Sequence, residues 1–77
     1  MDDPILDTTG LNCPLPVLKA RKRLLAMAPG ERLTLIATDS AAKRDVPAFC
    51  AATGHRVVAL VEEPGGRLVF TLERGVT

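Results

Sequence analysis

The chain lacks tryptophan and tyrosine altogether, and it has only two phenylalanines among its 77 residues. Because proteins stack single-stranded bases on aromatic rings, this shortage disfavours a general nucleic-acid-binding module. The overall charge does not favour one either, since ten Lys and Arg against nine Asp and Glu leave a net charge of +1. So small a charge does not attract nucleic acid or an anionic membrane at long range. An electrostatic partner must therefore be recognised through local charges.

Cysteine, histidine and long apolar runs are also scarce. Two cysteines are too few for a disulfide framework, and the single histidine disfavours a four-ligand zinc site, so we expect neither a metal nor a cofactor. No apolar run approaches the roughly 20 residues of a membrane span. Residues 1–4 are acidic and do not resemble the start of a secretory signal. We therefore expect a cytoplasmic protein that works away from membranes.

The residues that are present predict a small α/β protein. The length suits one domain over residues 1–77, with a site on its rim rather than in a deep pocket. Periodicity and turn residues predict strands at 5–8, 31–38, 56–62 and 67–73, a first helix that ends near Ala28, and a second helix that ends before Gly54. The order β-α-β-α-β-β predicts a two-layer α/β sandwich, with two helices packed on one face of a mixed four-stranded sheet. The first two strands should be parallel and the closing hairpin antiparallel.

The chain after the first helix gives several local predictions. Residues 31–38 carry apolar side chains on both faces, which indicates a strand in the middle of a sheet. Asp45 is the expected N-cap of the second helix, with Pro47 in its first turn. Cys50 falls on the apolar face of that helix and is expected to pack in the core. His55 is expected to be a surface or strand-start residue rather than a catalytic base.

The first helix carries an arginine at an unusual position. On a helical wheel Arg21 falls inside the apolar arc, where a packed helix prefers leucine or alanine. Its guanidinium either extends to the edge of the sheet or makes a docking contact with an acidic surface of a partner protein. Lys19, Lys22 and Arg23 are expected to form a solvated face on the other side. Asp39, after the second strand, is a candidate contact for a partner protein.

A cysteine followed by two prolines, Cys13-Pro14-Leu15-Pro16, precedes the first helix. Unpaired N–H groups and the positive end of the helix dipole stabilise a thiolate, so we expect the pKa of Cys13 to lie below that of a free cysteine. Pro14 and Pro16 preset the backbone in support of Cys13, although the residue before a proline avoids helical geometry, and Leu15 is expected to delay the helix by two residues. The alternative is a helix-initiating turn around a buried, unreactive cysteine.

The sequence resembles the TusA/SirA family of small sulfur carriers over nearly its whole length. The resemblance is carried by Leu6-Asp7, Gly10-Leu11, Cys13-Pro14-Leu15-Pro16, Pro29-Gly30-Glu31, Asp39, the run from Arg44 to Cys50, and Gly54-His55. It implies a β-α-β-α-β-β sandwich whose Cys13 accepts sulfur as a persulfide from a cysteine desulfurase or rhodanese-like donor and passes it to an acceptor protein. It also favours a docking role for Arg21, because a basic residue is usual there.

The implied partners are proteins, and we expect a monomer when the carrier is free, with no direct contact to nucleic acid. The final acceptor and its pathway stay open. The alternatives are tRNA thiolation, molybdenum-cofactor assembly and sulfur oxidation. Two other classes also stay open. One is an RNA-binding module similar to the C-terminal domain of translation initiation factor three, which the charge and the shortage of aromatic residues disfavour. The other is a thiol–disulfide redox protein that uses Cys13 and Cys50.

Overall fold

The computed structural model describes residues 3–76 and arranges them in four strands and two helices, in the predicted order. These elements are β1 (Ile5–Thr8), α1 (Leu15–Leu25), β2 (Arg32–Ala37), α2 (Ala42–Thr53), β3 (Arg56–Glu63) and β4 (Arg67–Glu73). One turn of 3-10 helix, Pro64–Gly66, joins β3 to β4. Between residues 3 and 76 neither helix has the length and apolar character needed to cross a membrane. The predicted α/β sandwich is confirmed.

The strands form one sheet in the order β1-β2-β4-β3. As predicted, β1 is parallel to β2 and the closing hairpin is antiparallel, and β4 is also antiparallel to β2. Because β1 and β2 are parallel, their carboxyl ends lie at the same end of the sheet. The loops that lead from them into α1 and α2 therefore start side by side, which brings together residues far apart in sequence.

The core lies between the helices and one face of the sheet. Its centre consists of three cross-strand pairs between β2 and β4: Leu33 with Leu72, Leu35 with Phe70, and Ala37 with Leu68. Alternate residues of a strand point to opposite faces, so these pairs share the face that the helices cover. The buried helical residues of the same cluster are Ala20 and Leu24 from α1 and Ala42, Val46 and Cys50 from α2. Ile36 is buried on the other face, which confirms that β2 is apolar on both sides.

The first helix is shorter than its apolar pattern predicts, because α1 ends at Leu25 rather than near Ala28. The N–H of Ala26 donates to a carbonyl three residues back, which tightens the final turn. The N–H of Ala28 donates to the carboxylate of Glu31 instead of to a helical carbonyl. Pro29 also disfavours helical geometry at the residue before it.

The second helix begins earlier than predicted, at Ala42. Asp45 is therefore its fourth residue rather than its N-cap, and Pro47 lies beyond the first turn. The predicted cap is wrong because an earlier aspartate organises the start of the helix. The side chain of Asp39 accepts the N–H of Ala41, and its carbonyl accepts the N–H of Ala42, each at 3.0 Å. The carboxylate of Asp45 is thereby left for a different contact.

His55 directly precedes β3 but is buried rather than at the surface, with 8% of its area exposed. Its Nδ1 accepts the N–H of Gly75 at 2.9 Å, and its ring centroid lies 5.7 Å from that of Phe49. The chain after β4 is thus fixed against the end of α2. At that end Gly54 has a φ of 81°, a left-handed conformation that glycine adopts readily.

Candidate functional site around Cys13

Cys13 lies in the loop between β1 and α1, two residues before the first residue of the helix, and is partly exposed. The loop turns tightly here, since the N–H of Leu15 donates to the carbonyl of Asn12 at 2.9 Å. The peptide bond between Cys13 and Pro14 within this turn is cis. The turn places the thiol at the carboxyl end of the parallel pair β1 and β2.

The two prolines of the motif occupy different positions in α1. Pro14 is the N-cap residue, and Pro16 is the second helical residue and is buried. The expected delay of the helix start is wrong, because Leu15 is already helical. The turn bond to Asn12 stabilises Leu15 in that position even though a proline follows it.

The start of α1 offers fewer free backbone donors than the sequence suggests. Pro14 and Pro16 have no N–H, and the N–H of Leu15 donates to the carbonyl of Asn12 at 2.9 Å. The N–H of Cys13 is itself directed at a carboxylate. A thiolate at this helix end therefore gains less from backbone N–H groups than a helix start without prolines would provide.

Two aspartates of the neighbouring loop and helix bind Cys13 instead. Asp39 Oδ2 accepts the backbone N–H of Cys13 at 2.6 Å. Asp45 Oδ2 accepts a hydrogen bond from the Cys13 thiol at 2.6 Å. Asp45 Oδ1 accepts one from Nε of Arg44 at 3.1 Å. The Cys13 thiol, which we expect from the helix dipole to be ionised, thus lies against the carboxylate of Asp45.

The electrostatic consequence is opposite to the expectation from the helix start. The hydrogen bond to Asp45 raises the pKa of the Cys13 thiol above its ordinary value, and partial desolvation and the charges of Asp45 and Asp39 act in the same direction. Arg44 opposes them but does not reverse the shift. The pKa of Asp45 is lowered mainly by the bond from the thiol, and that of Asp39 mainly by the bond from the Cys13 N–H. In the free protein the proton therefore stays on sulfur.

Arg21 lies on the second turn of α1 and is exposed, not packed in an apolar arc. Leu18 and Leu25 of the same helix are also exposed, at 52% and 58%. Among the described residues Arg21 forms no ion pair and no hydrogen bond with the sheet. The structure also shows no bond between Arg21 and Cys13. It leaves an exposed surface of two leucines and one cation on the helix that follows Cys13.

The remaining titratable side chains are not arranged for chemistry at this site. Cys50 is 2% exposed, as predicted, and burial raises its pKa to about 11. Both cysteines are free thiols. Within residues 3–76 no group of three or more histidine, cysteine or carboxylate side chains is arranged to hold a metal ion.

Asp45 is the site residue that the sequence reasoning missed, because it was interpreted as a helix cap. The signal lies in Asp39: an aspartate two residues after the end of β2 is itself able to start a helix, which moves Asp45 into the first turn. That turn follows β2, and the parallel pairing of β1 and β2 places it beside the Cys13 loop.

Comparison with known proteins gives a consistent set of matches. A family model described as sulfurtransferase TusA matches residues 5–74. The sulfur carrier protein TusA of Pseudomonas aeruginosa is 49% identical over 68 residues, covering 88% of this chain and 86% of that protein. The protein of the same name from Allochromatium vinosum is 44% identical over 72 residues, covering 94% and 93%.

One solved structure extends the comparison to the fold. The crystal structure of a SirA-like protein from Desulfitobacterium hafniense superposes with a TM-score of 0.81 and covers 92% of this chain and 96% of its own. Its sequence identity is 22%, so this match supports the fold alone.

Proposed function

Because the chain belongs to the TusA sulfurtransferase family, we propose that it is a sulfur carrier that holds one sulfur atom as a persulfide on Cys13. The observation that carries the proposal is the different placement of the two thiols. Cys13 is partly exposed at the end of the sheet, whereas Cys50 is buried in the core. This difference supports Cys13, rather than Cys50, as the thiol that meets the sulfur of another protein.

The proposed transfer conserves atoms and electrons. A donor protein presents a persulfide, R–S–SH, and the Cys13 sulfur attacks its terminal sulfur. An S–S bond forms on Cys13 while the S–S bond of the donor breaks, and its electron pair leaves with the donor thiolate. The proton of the Cys13 thiol passes to that thiolate. The products are the donor thiol and Cys13–S–SH, so no oxidant or reductant is consumed.

Asp45 lies on the path of this proton, because its Oδ2 already accepts the thiol. In the free carrier the low pKa of Asp45 and the raised pKa of Cys13 keep the proton on sulfur. A cation of the docked donor near Asp45 and Asp39 would offset both negative charges and favour the thiolate. The thiol is then activated mainly in the complex, and specificity depends on which proteins dock there.

The classes of donor and acceptor follow from the family, whereas the roles proposed for Arg21 and Asp39 rest on the structure around Cys13. We assign the donor to the class of cysteine desulfurases or rhodanese-like proteins, and the acceptor to a second protein. Arg21 is proposed as a docking contact because it is exposed and unpaired within the described chain. Asp39 holds the Cys13 loop and contributes negative charge beside it. The relay is assigned to the cytoplasm, where thiols stay reduced.

The structure counts against the two competing functions. A reversible disulfide between Cys13 and Cys50 would need a buried thiol whose pKa is raised to about 11, which leaves little thiolate for exchange. An RNA-binding module would need exposed rings, but Phe70 is fully buried and Phe49 packs against the core and His55. Neither alternative gains an observation in its favour.

The test is intact-mass analysis after incubation with a cysteine desulfurase and cysteine. One added sulfur atom is expected on the wild-type protein and on Cys50→Ser, and none on Cys13→Ser. The added mass should disappear on treatment with a thiol reductant, as a persulfide requires. Loading that persists in Cys13→Ser but is lost in Cys50→Ser would overturn the assignment.

A further inference from the structure

The basic side chains of α1 form no ion pairs within the described residues, whereas nearly all other basic side chains there do. Five basic side chains outside this helix lie 2.9 to 3.5 Å from a carboxylate oxygen: Arg32, Lys43, Arg44, Arg56 and Arg67. Helix α1 has four cations, Lys19, Arg21, Lys22 and Arg23, and no acidic residue. In the described part of the chain none of these four forms an ion pair. The helix therefore presents positive charge that the protein itself does not neutralise.

Three of these cations surround a groove between α1 and β1. The groove is lined by Leu6, Lys19, Lys22, Arg23 and Ala26, has a volume of about 310 Å³ and opens to solvent. Leu6 packs against the core and gives the groove an apolar floor beneath the charged side chains. This combination suits a ligand with negative charge and some apolar surface.

The groove borders the free edge of the sheet, because among residues 3–76 β1 has a neighbouring strand only on the β2 side. The carbonyl of Pro4 accepts the N–H of Thr34 at 2.9 Å, so residues 4, 6 and 8 direct their backbone groups toward β2. In a strand the intervening residues direct theirs the other way. The N–H and carbonyl groups of Ile5 and Asp7 therefore face outward, where another strand is able to pair with them.

The spacing of the cations matches an added strand. Lys19 and Arg23 are four residues apart on a helix, which separates them by about 6 Å along its axis. Alternate side chains of an extended segment are about 6.6 to 6.8 Å apart and lie on one face. Two acidic residues separated by one residue would thus each meet a cation. The residues between them would lie on the opposite face of the sheet, where Ile5 is 63% exposed.

We propose that this groove is a docking site for an extended acidic segment of a partner protein, which pairs with the free edge of β1 and directs alternate carboxylates at Lys19, Lys22 and Arg23. The apolar floor favours a peptide, because the methylene groups of glutamate would cover Leu6 while their carboxylates reach the cations. Backbone pairing supplies affinity and the alternating charge supplies specificity. A nucleic acid would use the charge but neither the floor nor the edge.

The site is distinct from the one proposed for sulfur transfer. Lys22 lies seven residues after Leu15, or about 10 Å along the helix from its start. Arg21 does not line the groove: it is rotated by about 200° from Lys19 and Arg23, which are two residues away, and by about 100° from its neighbour Lys22. A partner segment in the groove therefore leaves Cys13 accessible, and its binding does not depend on the persulfide.

The test is fluorescence anisotropy with a labelled peptide of sequence Thr-Glu-Val-Glu-Val-Glu-Thr at low ionic strength. Lys19→Glu and Lys22→Glu should each weaken binding about tenfold, as expected when an opposite-charge contact becomes a like-charge one. Lys43→Glu is the matched control, since it makes the same charge change on a helix but pairs with Glu62 on β3, at the far edge of the sheet. It should change affinity less than about twofold. Cys13→Ser should bind like the wild type.

Amide exchange measured by NMR separates strand addition from loose charge attraction. The N–H groups of Ile5 and Asp7 should become protected when the peptide binds, and a peptide with Gln in place of Glu should bind more weakly and protect them less at the same concentration. The proposal is overturned if Lys43→Glu weakens binding as much as Lys22→Glu, or if Ile5 and Asp7 stay unprotected. Tighter binding of a labelled oligouridylate at the same lysines would identify a nucleic-acid site instead. Circular dichroism of each variant verifies that it is folded.

Discussion

The thiol of Cys13 donates a hydrogen bond to Asp45 Oδ2 across 2.6 Å, although the two residues are 32 positions apart. The contact joins the loop before α1 to the first turn of α2. It places a negative charge against the atom that would carry sulfur, so the free protein holds its reactive group as a neutral thiol. Low reactivity in the free state limits side reactions, because the thiolate is the form that reacts with oxidants and alkylating reagents.

The first prediction concerns the pH dependence of this thiol. The alkylation rate of Cys13 should have its midpoint above that of an unstructured cysteine peptide, because Asp45 stabilises the protonated form. Asp45→Asn removes the negative charge and should shift the midpoint to lower pH. Iodoacetamide kinetics against pH, with the modified residue identified by mass spectrometry, measure both effects.

Asp7→Asn is the matched control for this experiment. Asp7 is an exposed aspartate that bonds to Thr9 and does not contribute to the pKa of Cys13. Its replacement should leave the midpoint where it is. A wild-type midpoint below that of the free peptide would mean that the helix dipole dominates, and an unchanged midpoint in Asp45→Asn would exclude the carboxylate as the cause.

The second prediction is a loss of stability in mild acid caused by His55. Burial, and then the charge of Arg74, lower the pKa of His55 below its ordinary value of 6.5. The folded state therefore holds the neutral ring, whereas the unfolded chain takes up a proton as the pH falls. Protonation also removes the Nδ1 acceptor of the Gly75 N–H. Stability should be fully present above the ordinary pKa and should decrease as the pH falls through the folded-state value.

Urea denaturation at several pH values between about 7.5 and 5 tests this, since carboxylates titrate mostly below that interval. His55 is the only histidine, so His55→Gln should remove the pH dependence within that interval. An equal slope in wild type and variant would show that another group is responsible.

Most of the fold follows from short-range patterns, but the strand order does not. The two-sided apolar pattern of β2 and the turn at residues 63–66 were sufficient to identify a central strand and a hairpin. Whether β3 or β4 pairs with β2 depends on contacts such as Leu35 with Phe70, which are 35 residues apart and leave no local signal. The family resemblance, by contrast, covered nearly the whole chain and is confirmed.

The candidate site is likewise only partly predictable from local sequence, because some of its properties depend on tertiary contacts. Cys13 and its position before a helix were visible in the motif, but the sign of its pKa shift was not. That sign depends on Asp39 and Asp45, which reach the thiol only through the parallel pairing of β1 and β2. A helix start considered alone favours the thiolate, and two nearby carboxylates outweigh it.

The third prediction concerns the chain after β4. A Cβ atom on Gly75 would collide with the carbonyl oxygen of Gly54 and would lie 3.3 Å from the backbone nitrogen of His55. Because both neighbours are backbone atoms, they have little freedom to move. Gly75→Ala should lower the free energy of unfolding by about 1 to 3 kcal/mol, as other overpacking substitutions do.

Val76→Ala is the control for that substitution, because Val76 is adjacent and 87% exposed. It should change the free energy of unfolding by less than about 0.5 kcal/mol. Urea denaturation of both variants measures the difference. Equal stability of Gly75→Ala and the wild type would mean that the last residues do not pack against Gly54 in solution.

The last prediction tests the docking role proposed for Arg21. Arg21 is exposed and has no partner among the described residues, so Arg21→Glu should leave the unfolding temperature nearly unchanged. If Arg21 meets an acidic surface of the donor, the same variant should load sulfur more slowly, and the defect should diminish as added salt screens the charges.

Arg56→Glu provides the comparison, since Arg56 pairs with Glu73 at the end of the sheet away from Cys13. It should load at the wild-type rate, because loading responds to charge beside the docking surface rather than to the net charge of the protein. A clear loss of stability with unchanged loading in Arg21→Glu would instead assign the guanidinium to the fold.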